Sequence, residues 1–251
     1  MLARRGLRPR ATKPGLPFAV PLGDAAAERL ASLLGHYAFR LFLRGAIQRP
    51  EGFAPEEATR YVTGARARAF ADALVEAGLA TPVPPASIRP SGSASSFGGT
   101  LEWYIARELR RWLGFDVATG VKFHASGVGG DLDVVAAAEG KLIYLEVKSS
   151  PPKHLSDGEV RAFLERLDLV RPDVALFVVD TALRLGDKVV PMLLEALRQE
   201  RGGGAGPPRL VARGLWALTP HLYAVNSKPE LLANIGRAIA EGLRALAPAA
   251  R

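Results

Sequence analysis

Two apolar segments joined by Glu139-Gly140 make up most of residues 131–148 (DLDVVAAAEGKLIYLEVK). Valine, isoleucine and tyrosine favour strands, and glycine accepts the positive φ of a tight turn. The segment therefore predicts a β-hairpin. Because side chains alternate between the two faces of a strand, the ionisable residues inside each strand fall on one face.

The turn also sets the register of this hairpin. A loop of two or of four residues centred on Glu139-Gly140 places Asp133 directly opposite Glu146 on the same face, with Cβ atoms about 4.5–5.5 Å apart. Lys148 follows on that face, about 6.6 Å further along the strand. Asp131 is an alternative acidic residue, but this register places it opposite Lys148, so it ranks second.

Two carboxylates at this separation repel each other unless a cation lies between them. A hard divalent ion such as Mg²⁺ takes oxygen ligands and retains water molecules for chemistry. A lysine beside it can orient an attacking water or offset the charge that develops on a phosphate. The combination favours hydrolysis of a phosphodiester. The alternative, solvated charges on an exposed hairpin face, fits less well with the apolar flanks VVAAA and LIYLEV.

A third carboxylate comes from the helical segment LEWYIARELRRWLG, which begins at Leu101. At about 100° per residue, Glu102 falls within the apolar face of this helix, and the arginines fall on the other side. A carboxylate on a buried face is costly unless it is paired or bound to metal. A helix packed on the sheet would bring Glu102 to the Asp133–Glu146 pair. The alternative is a Glu102 paired with an arginine at the domain edge.

The predicted elements divide the chain into four parts. These are a basic proline-rich arm, a small and mostly helical domain, a linker and an α/β domain, at residues 1–23, 24–90, 91–99 and 100–251. Apolar spacing predicts helices over 25–47 and 65–78 in the helical domain. Residues 100–180 follow the order α-β-β-β-α-β, which indicates a mixed sheet covered by helices.

The net charge of +8 indicates a polyanionic partner. Most of the excess lies in residues 1–99, which hold 13 Lys and Arg against 7 Asp and Glu. Codon bias in a GC-rich genome is the alternative explanation for so many arginines. The chain has no cysteine, so thiolate metal sites and cysteine nucleophiles are excluded. No apolar run reaches the roughly 20 residues that span a bilayer, so a cytoplasmic protein without a membrane segment is expected.

Residues 100–180 resemble the PD-(D/E)xK nuclease superfamily, which has the restriction-endonuclease-like fold. The matching motifs are Glu102 in the leading helix, GGDLDVVA at 129–136 and LIYLEVKSS at 142–150. The resemblance covers about a third of the chain, and residue 132 is leucine where many members have proline. It implies an α/β core of αβββαβ order with a mixed sheet.

The same resemblance implies roles for the site residues. Asp133 resembles the metal-bridging aspartate, Glu146 the second ligand and Lys148 the catalytic lysine, with Glu102 as a supporting residue. The backbone carbonyl of Val147 is expected to complete the metal shell. The implied cofactor is Mg²⁺, for which Mn²⁺ would substitute.

The helices of residues 24–90, followed by LATPVPPASIRP, are similar to a winged-helix unit. In such a unit the helix over 65–78 would enter a major groove, and Arg66 and Arg68 near its start would contact phosphates or base edges. The alternative is a helical cap that packs on the nuclease-like domain.

These observations predict a Mg²⁺-dependent DNA endonuclease. A DNA-binding protein with a catalytically silent nuclease-like fold is the alternative from another class, and a nuclease acting on RNA is a third. The helix after the motif (SDGEVRAFLERLDLV) lacks the Gln and Tyr that mark exonuclease-type relatives, which argues against a processive exonuclease. The oligomeric state stays open, with a homodimer as one candidate.

Overall fold

A computed structural model of the chain describes residues 1–9, 22–92, 96–123, 131–201 and 206–247. The described chain forms two compact units. The helical unit contains residues 22–92 and 96–104, and the sheet unit contains residues 1–9, 105–123, 131–201 and 206–247.

The described residues of the helical unit form three complete α-helices, the first half of a fourth and a two-stranded hairpin. Its elements are α1 (Asp24–Leu34), α2 (Tyr37–Ile47), α3 (Gly64–Glu76), β1 (Ala80–Val83) and β2 (Ser87–Pro90). The two strands pair in antiparallel fashion. Aromatic rings from α2 and α3 fill the core, where Phe39 and Phe70 meet edge to face with centroids 5.2 Å apart. Helix α3 lies at the helix predicted over 65–78, and the segment LATPVPPASIRP that follows it forms the hairpin.

The prediction of one continuous helix over 25–47 is wrong. The chain breaks at Gly35 and His36, and His36 is extended, with φ −87° and ψ 119°. Arg40 explains the break. This arginine is 1% exposed and donates from Nη1 to the carbonyls of Leu34 at 2.5 Å and Gly35 at 3.3 Å. A buried guanidinium thus satisfies carbonyls that the end of α1 leaves without helical partners.

The sheet unit contains the second half of a long helix, further helices and a seven-stranded sheet. Its helices are α4 (Gly98–Leu113, shared with the helical unit), α5 (Asp157–Val170), α6 (Val189–Arg201) and α7 (Leu231–Leu246). Its strands are β3 (Asp116–Val121), β4 (Leu132–Ala138), β5 (Lys141–Lys148), β6 (Val174–Val179), β7 (Arg209–Ala212), β8 (Leu215–Thr219) and β9 (Leu222–Asn226).

The strand order is β3-β4-β5-β6-β9-β8-β7. Strands β5, β6 and β9 are parallel, and the pairs on either side of them are antiparallel. Helices α5 and α6 bury their apolar faces on one side of the sheet, where Phe163 contacts Tyr144 and Phe177. Helix α7 covers the other side, where Gly242 lies against Val174 and Tyr223. The predicted α/β class and the order α-β-β-β-α-β are therefore confirmed.

The beginning of the predicted arm packs into the sheet unit. Leu7 is buried in the core beneath α5 and α6, and Arg5 Nη2 lies 2.6 Å from Asp173 Oδ2. Residues 10–21 of the arm and 93–95 of the predicted linker lie outside the described residues. Among the helices that the structure describes, none combines the length and the apolar character needed to cross a bilayer.

Candidate metal-dependent catalytic site

The hairpin of β4 and β5 has the predicted register. Ala138 pairs with Lys141, and Val134 pairs with Leu145, so Asp133 and Glu146 are the next opposing positions. Glu139 and Gly140 form the two-residue turn, with φ values of 49° and 76°. Positive φ at both turn positions matches the right-handed twist of the flanking strands.

Glu146 is a buried member of the site, at 2% exposure. Its Oε1 lies 3.0 Å from Lys148 Nζ and 2.7 Å from Arg166 Nη2. The hydroxyl of Tyr144 donates to its Oε2. Burial, followed by the neighbouring Glu146 carboxylate, raises the pKa of Tyr144 well above 10, which keeps this hydroxyl protonated as a donor. Burial of the carboxylate is therefore offset by two cations and one neutral donor.

Arg166 of α5 is a member of this cluster that was not predicted from the sequence. Its Nε donates to the Tyr144 hydroxyl at 3.0 Å, while its Nη2 reaches Glu146, so one guanidinium bridges two side chains of β5. The sequence did contain a signal. Phe163, Arg166 and Val170 share one side of α5 at helical spacing, so an arginine lies at the edge of the buried stripe.

Lys148 lies between two carboxylates. Its Nζ is 3.0 Å from Glu146 and 3.2 Å from Glu159 Oε1 on α5. Burial acts to lower the pKa of Lys148, but Glu146 and Glu159 outweigh it and the pKa is raised. The lysine is therefore a fixed positive charge at the carboxyl end of β5.

Glu159 is itself held by the start of α5. Its Oε2 accepts from the backbone N–H and the hydroxyl of Ser156, both at 3.0 Å, and Ser156 Oγ accepts from the Glu159 N–H at 3.3 Å. This is a capping box. Burial acts to raise the pKa of Glu159, yet the Ser156 N–H and Lys148 together lower it. The helix cap and the site lysine are thus linked through one carboxylate.

Asp133 lies at the end of the β4–β5 ladder. Its Oδ2 accepts from the N–H of Val147 at 2.6 Å. The next carbonyl along β5, that of Lys148, accepts at 2.8 Å from the N–H of Asp180, the residue that follows β6. Because adjacent residues of a strand direct their peptide groups to opposite neighbours, the Val147 carbonyl faces β4 and Asp133. A carboxylate and a backbone oxygen therefore face the same space beyond the end of the ladder.

The donor set of this site fits a hard divalent ion. A carboxylate has about four acceptor positions, and the described contacts of Glu146 use two on Oε1 and one on Oε2. Those contacts leave one acceptor position on Oε2 for a metal. The described residues contain no group of three or more His, Cys, Asp or Glu placed to bind a metal, so a metal here would rely on two carboxylates and a backbone oxygen.

Glu102 lies on α4, and Asp131 directly precedes β4. Glu102 is partly buried on α4 within the helical unit, whereas the Asp133–Glu146–Lys148 cluster belongs to the sheet unit, so its supporting role stays a prediction. Asp131 Oδ2 lies beside Gly120 of β3.

Arg66 and Arg68 are both exposed on α3. The Arg66 guanidinium lies over the Phe70 ring, 5.6 Å from its centroid, and Arg68 is paired with Glu56. Nucleic-acid contacts by these two arginines stay a prediction. The glycines at 127, 129 and 130, in the first matching motif and just before it, lie outside the described residues.

Comparison with known proteins places this geometry on a known fold. No protein-family model matches the sequence, and no curated protein matches it significantly. Solved structures do match. The protein VC1899 from Vibrio cholerae has a TM-score of 0.54 and 16% identity, over 96% of this chain and 60% of that one. Can2 from Sulfobacillus thermosulfidooxidans, solved in complex with cyclic tetra-adenylate, has a TM-score of 0.51 and 15% identity, over 96% and 59%.

At these identities the likeness shows the fold alone. The chain spans about 60% of the length of both structures. The α/β architecture is thus shared with known proteins, while the function has to be argued from the cluster on β4, β5 and α5.

Proposed function

We propose that the chain is a metal-dependent nuclease that hydrolyses phosphodiester bonds, with DNA as the first substrate to test. One observation carries the proposal. Asp133 and Glu146 occupy opposing positions of one hairpin, and a lysine held between two carboxylates lies 3.0 Å from Glu146. The resemblance to PD-(D/E)xK nucleases supports the same residues from motif spacing.

Asp133, Glu146 and the Val147 carbonyl would hold Mg²⁺ or Mn²⁺. When bound, the ion would polarise the phosphate and lower the pKa of a coordinated water. Lys148 would position the attacking water or stabilise charge on the phosphate oxygens. Arg166 and Tyr144 would keep the Glu146 carboxylate in one orientation, and Glu159 would keep Lys148 over it. Glu102 is proposed as a supporting acidic residue.

The helical unit is proposed as the part that contacts duplex DNA, through exposed Arg66 and Arg68 on α3. Phosphate contacts of this kind position a protein on nucleic acid without reading its sequence. They would make binding strongly dependent on salt.

A cleavage screen tests the proposed activity. Supercoiled DNA, single-stranded DNA and single-stranded RNA are incubated with Mg²⁺, Mn²⁺ or EDTA. Single-stranded RNA is included because Can2 was solved with cyclic tetra-adenylate. We expect cleavage that needs the divalent ion, and a loss of at least about 100-fold in Asp133→Asn and Lys148→Met.

Two matched variants serve as controls. Asp116→Asn removes an exposed carboxylate from β3, and Lys141→Met removes a lysine from the opposite end of β5. Both should cleave at the wild-type rate. Undiminished cleavage by Asp133→Asn and Lys148→Met would refute the site.

A catalytically silent, nucleic-acid-binding protein is the second candidate. It is favoured by one feature, the neutralisation of Glu146 by both Lys148 and Arg166, since a carboxylate already paired with two cations attracts a metal less strongly. This candidate predicts salt-sensitive binding of nucleic acid and no cleavage with any divalent ion.

A further inference from the structure

A cavity of about 660 Å³ lies at the carboxyl ends of β6 and β9. Three segments surround it: the loop 182–187 after β6, the turn between β7 and β8, and the end of β9, with Asn226 and Lys228. Trp216 lines the cavity and is partly exposed. The volume falls within the range of about 300–1,000 Å³ typical of small-ligand sites.

The polypeptide around this cavity is fixed by buried amides. Asn226 is 3% exposed; its Nδ2 donates to the Leu183 carbonyl at 2.7 Å, and its Oδ1 accepts from the Lys228 N–H at 2.9 Å. Asn234 of α7 donates to the carbonyls of Asn226 at 3.0 Å and Lys228 at 2.9 Å. Gly186 lies so close to the indole that a Cβ there would be 3.2 Å from Trp216 Cζ2. The cavity is therefore preformed, which lowers the entropic cost of binding.

The charge of the lining is predominantly positive. Among the described residues that line the cavity, Arg184, Arg213 and Lys228 are basic and Asp187 is acidic. Arg184 and Arg213 are exposed and Lys228 is half-buried. Within the described residues, no ion pair engages these three cations. An indole beside unpaired cations suits a ligand that combines an aromatic ring with negative charge, as a nucleotide does.

The cavity lies at the same edge of the sheet as Lys148. The Lys148 carbonyl accepts from Asp180 N–H at 2.8 Å, and the Thr181 carbonyl accepts from Ser227 N–H at 3.0 Å, so the ends of β5, β6 and β9 are joined along this edge. Trp216 packs against the apolar core that contains Tyr144. Tyr144 points to the same face of β5 as Glu146 and Lys148, so Trp216 lies on that face of the sheet.

The separation suits a chain of nucleotides. Trp216 is on β8, three strands from β5, or about 14 Å at a strand spacing of about 4.8 Å. At the duplex rise of about 3.4 Å per nucleotide, this is about four nucleotides, and fewer in an extended strand.

We propose that this cavity is a subsite for an unpaired nucleotide of a single-stranded nucleic acid. Its base stacks on Trp216, and the adjacent phosphates lie against Arg184, Arg213 and Lys228. The proposal rests on the nuclease function proposed above, because it places the subsite a few nucleotides from the bond at Lys148. A duplex keeps its bases stacked inside and would not offer one to the indole.

Binding is measured on full-length protein without divalent ion, so that no strand is cut. The probes are fluorescein-labelled oligo-dT and oligo-U, which separate DNA from RNA, and a hairpin duplex of equal length. Trp216→Leu should weaken binding of the preferred single strand about tenfold. Arg213→Gln should lower the slope of log K against log salt concentration by about 0.7. Arg237→Gln, an exposed arginine on α7 on the other side of the sheet, should leave both quantities unchanged.

Tryptophan emission gives a second readout. The chain has three tryptophans, and quenching by unlabelled oligo-dT or oligo-U should persist in Trp112→Phe and disappear in Trp216→Leu. If circular dichroism shows that Trp216→Leu does not fold, the proposal is tested by comparing the salt dependence of binding in Arg213→Gln and Arg237→Gln.

Each outcome distinguishes the subsite from the catalytic proposal. Variants that bind as tightly as wild type, or a duplex that binds equally and depends equally on Trp216, would overturn the subsite even if the protein cleaves. A protein that shows the predicted binding but cleaves nothing would refute the nuclease and leave the subsite intact.

Discussion

Replacing Arg166 by methionine would remove one of the two cations that neutralise Glu146. The Glu146 side chain is 3% exposed and that of Arg166 is 8% exposed, so water cannot replace the lost partner. At the N–O distance of 2.7 Å, the gross Coulomb attraction is about 6 kcal/mol for an effective dielectric constant of about 20. Breaking a buried pair by removing one partner costs about 3–5 kcal/mol.

The expected loss lies at the lower end of that range. Lys148 Nζ stays 3.0 Å from Glu146, and the Tyr144 hydroxyl still donates to it, so about 3 kcal/mol of the free energy of unfolding should be lost. Against a total of about 5–15 kcal/mol for a typical protein, this is a large effect. Arg166→Lys keeps the charge but loses the bridge to Tyr144, so it should lose less.

Urea unfolding followed by far-UV circular dichroism measures this loss. Arg198→Met is the matched control, since Arg198 is 59% exposed and pairs with Glu195 on the surface of α6. Its stability should change by less than about 0.5 kcal/mol. The double variant Glu146→Gln/Arg166→Met should be less destabilised than the sum of its single variants. A loss below about 1 kcal/mol in Arg166→Met would show that the buried pair does not form in solution.

Three further predictions concern the same cluster and one turn. The raised pKa of Lys148 means that its stabilising contribution is complete below pH 10.5 and is lost as the pH rises above it. The stability difference between wild type and Lys148→Met, measured by urea titration, should therefore be constant below pH 10.5 and shrink above it, and a difference that stays constant above pH 10.5 would contradict this. The pKa of Glu159 is lowered, so the stability that its carboxylate contributes is present above pH 4.5 and is lost as the pH falls below it. Glu159→Gln should therefore lose more stability at pH 6 than at pH 3.5. Ser156→Ala should lose about 1 kcal/mol at pH 6, because it removes the helix cap. Gly214→Ala should lower the free energy of unfolding by more than about 3 kcal/mol, because φ is +83° and the new Cβ would collide with Asn226 Oδ1 and the Lys228 carbonyl. The control Gly140→Ala, with φ +76° and open space around the new Cβ, should cost about 1 kcal/mol. Equal shifts in melting temperature for the two variants would refute this account of the turn at Gly214.

Much of the fold could be predicted from local patterns. The hairpin register followed from the Glu139-Gly140 turn, because a two-residue loop leaves one pairing for the strands beside it. The order α-β-β-β-α-β followed from apolar periodicity, which differs between strands and helices. The break between α1 and α2 did not follow, because the buried Arg40 that satisfies the carbonyls at that break is a tertiary feature.

The sequence by itself determined that Asp133, Glu146 and Lys148 share one face of one hairpin, because strand alternation and turn length are local properties. Tertiary structure alone decided what surrounds them. Arg166 and Glu159 reach the cluster because α5 packs against β5. Their separation from Glu146 and Lys148 along the sequence does not predict these contacts. The position of β8, three strands from β5 in the same sheet, likewise depends on the strand order. The strand order is set by the burial of both faces of the sheet against helices, which depends on the whole unit and cannot be predicted from any single segment.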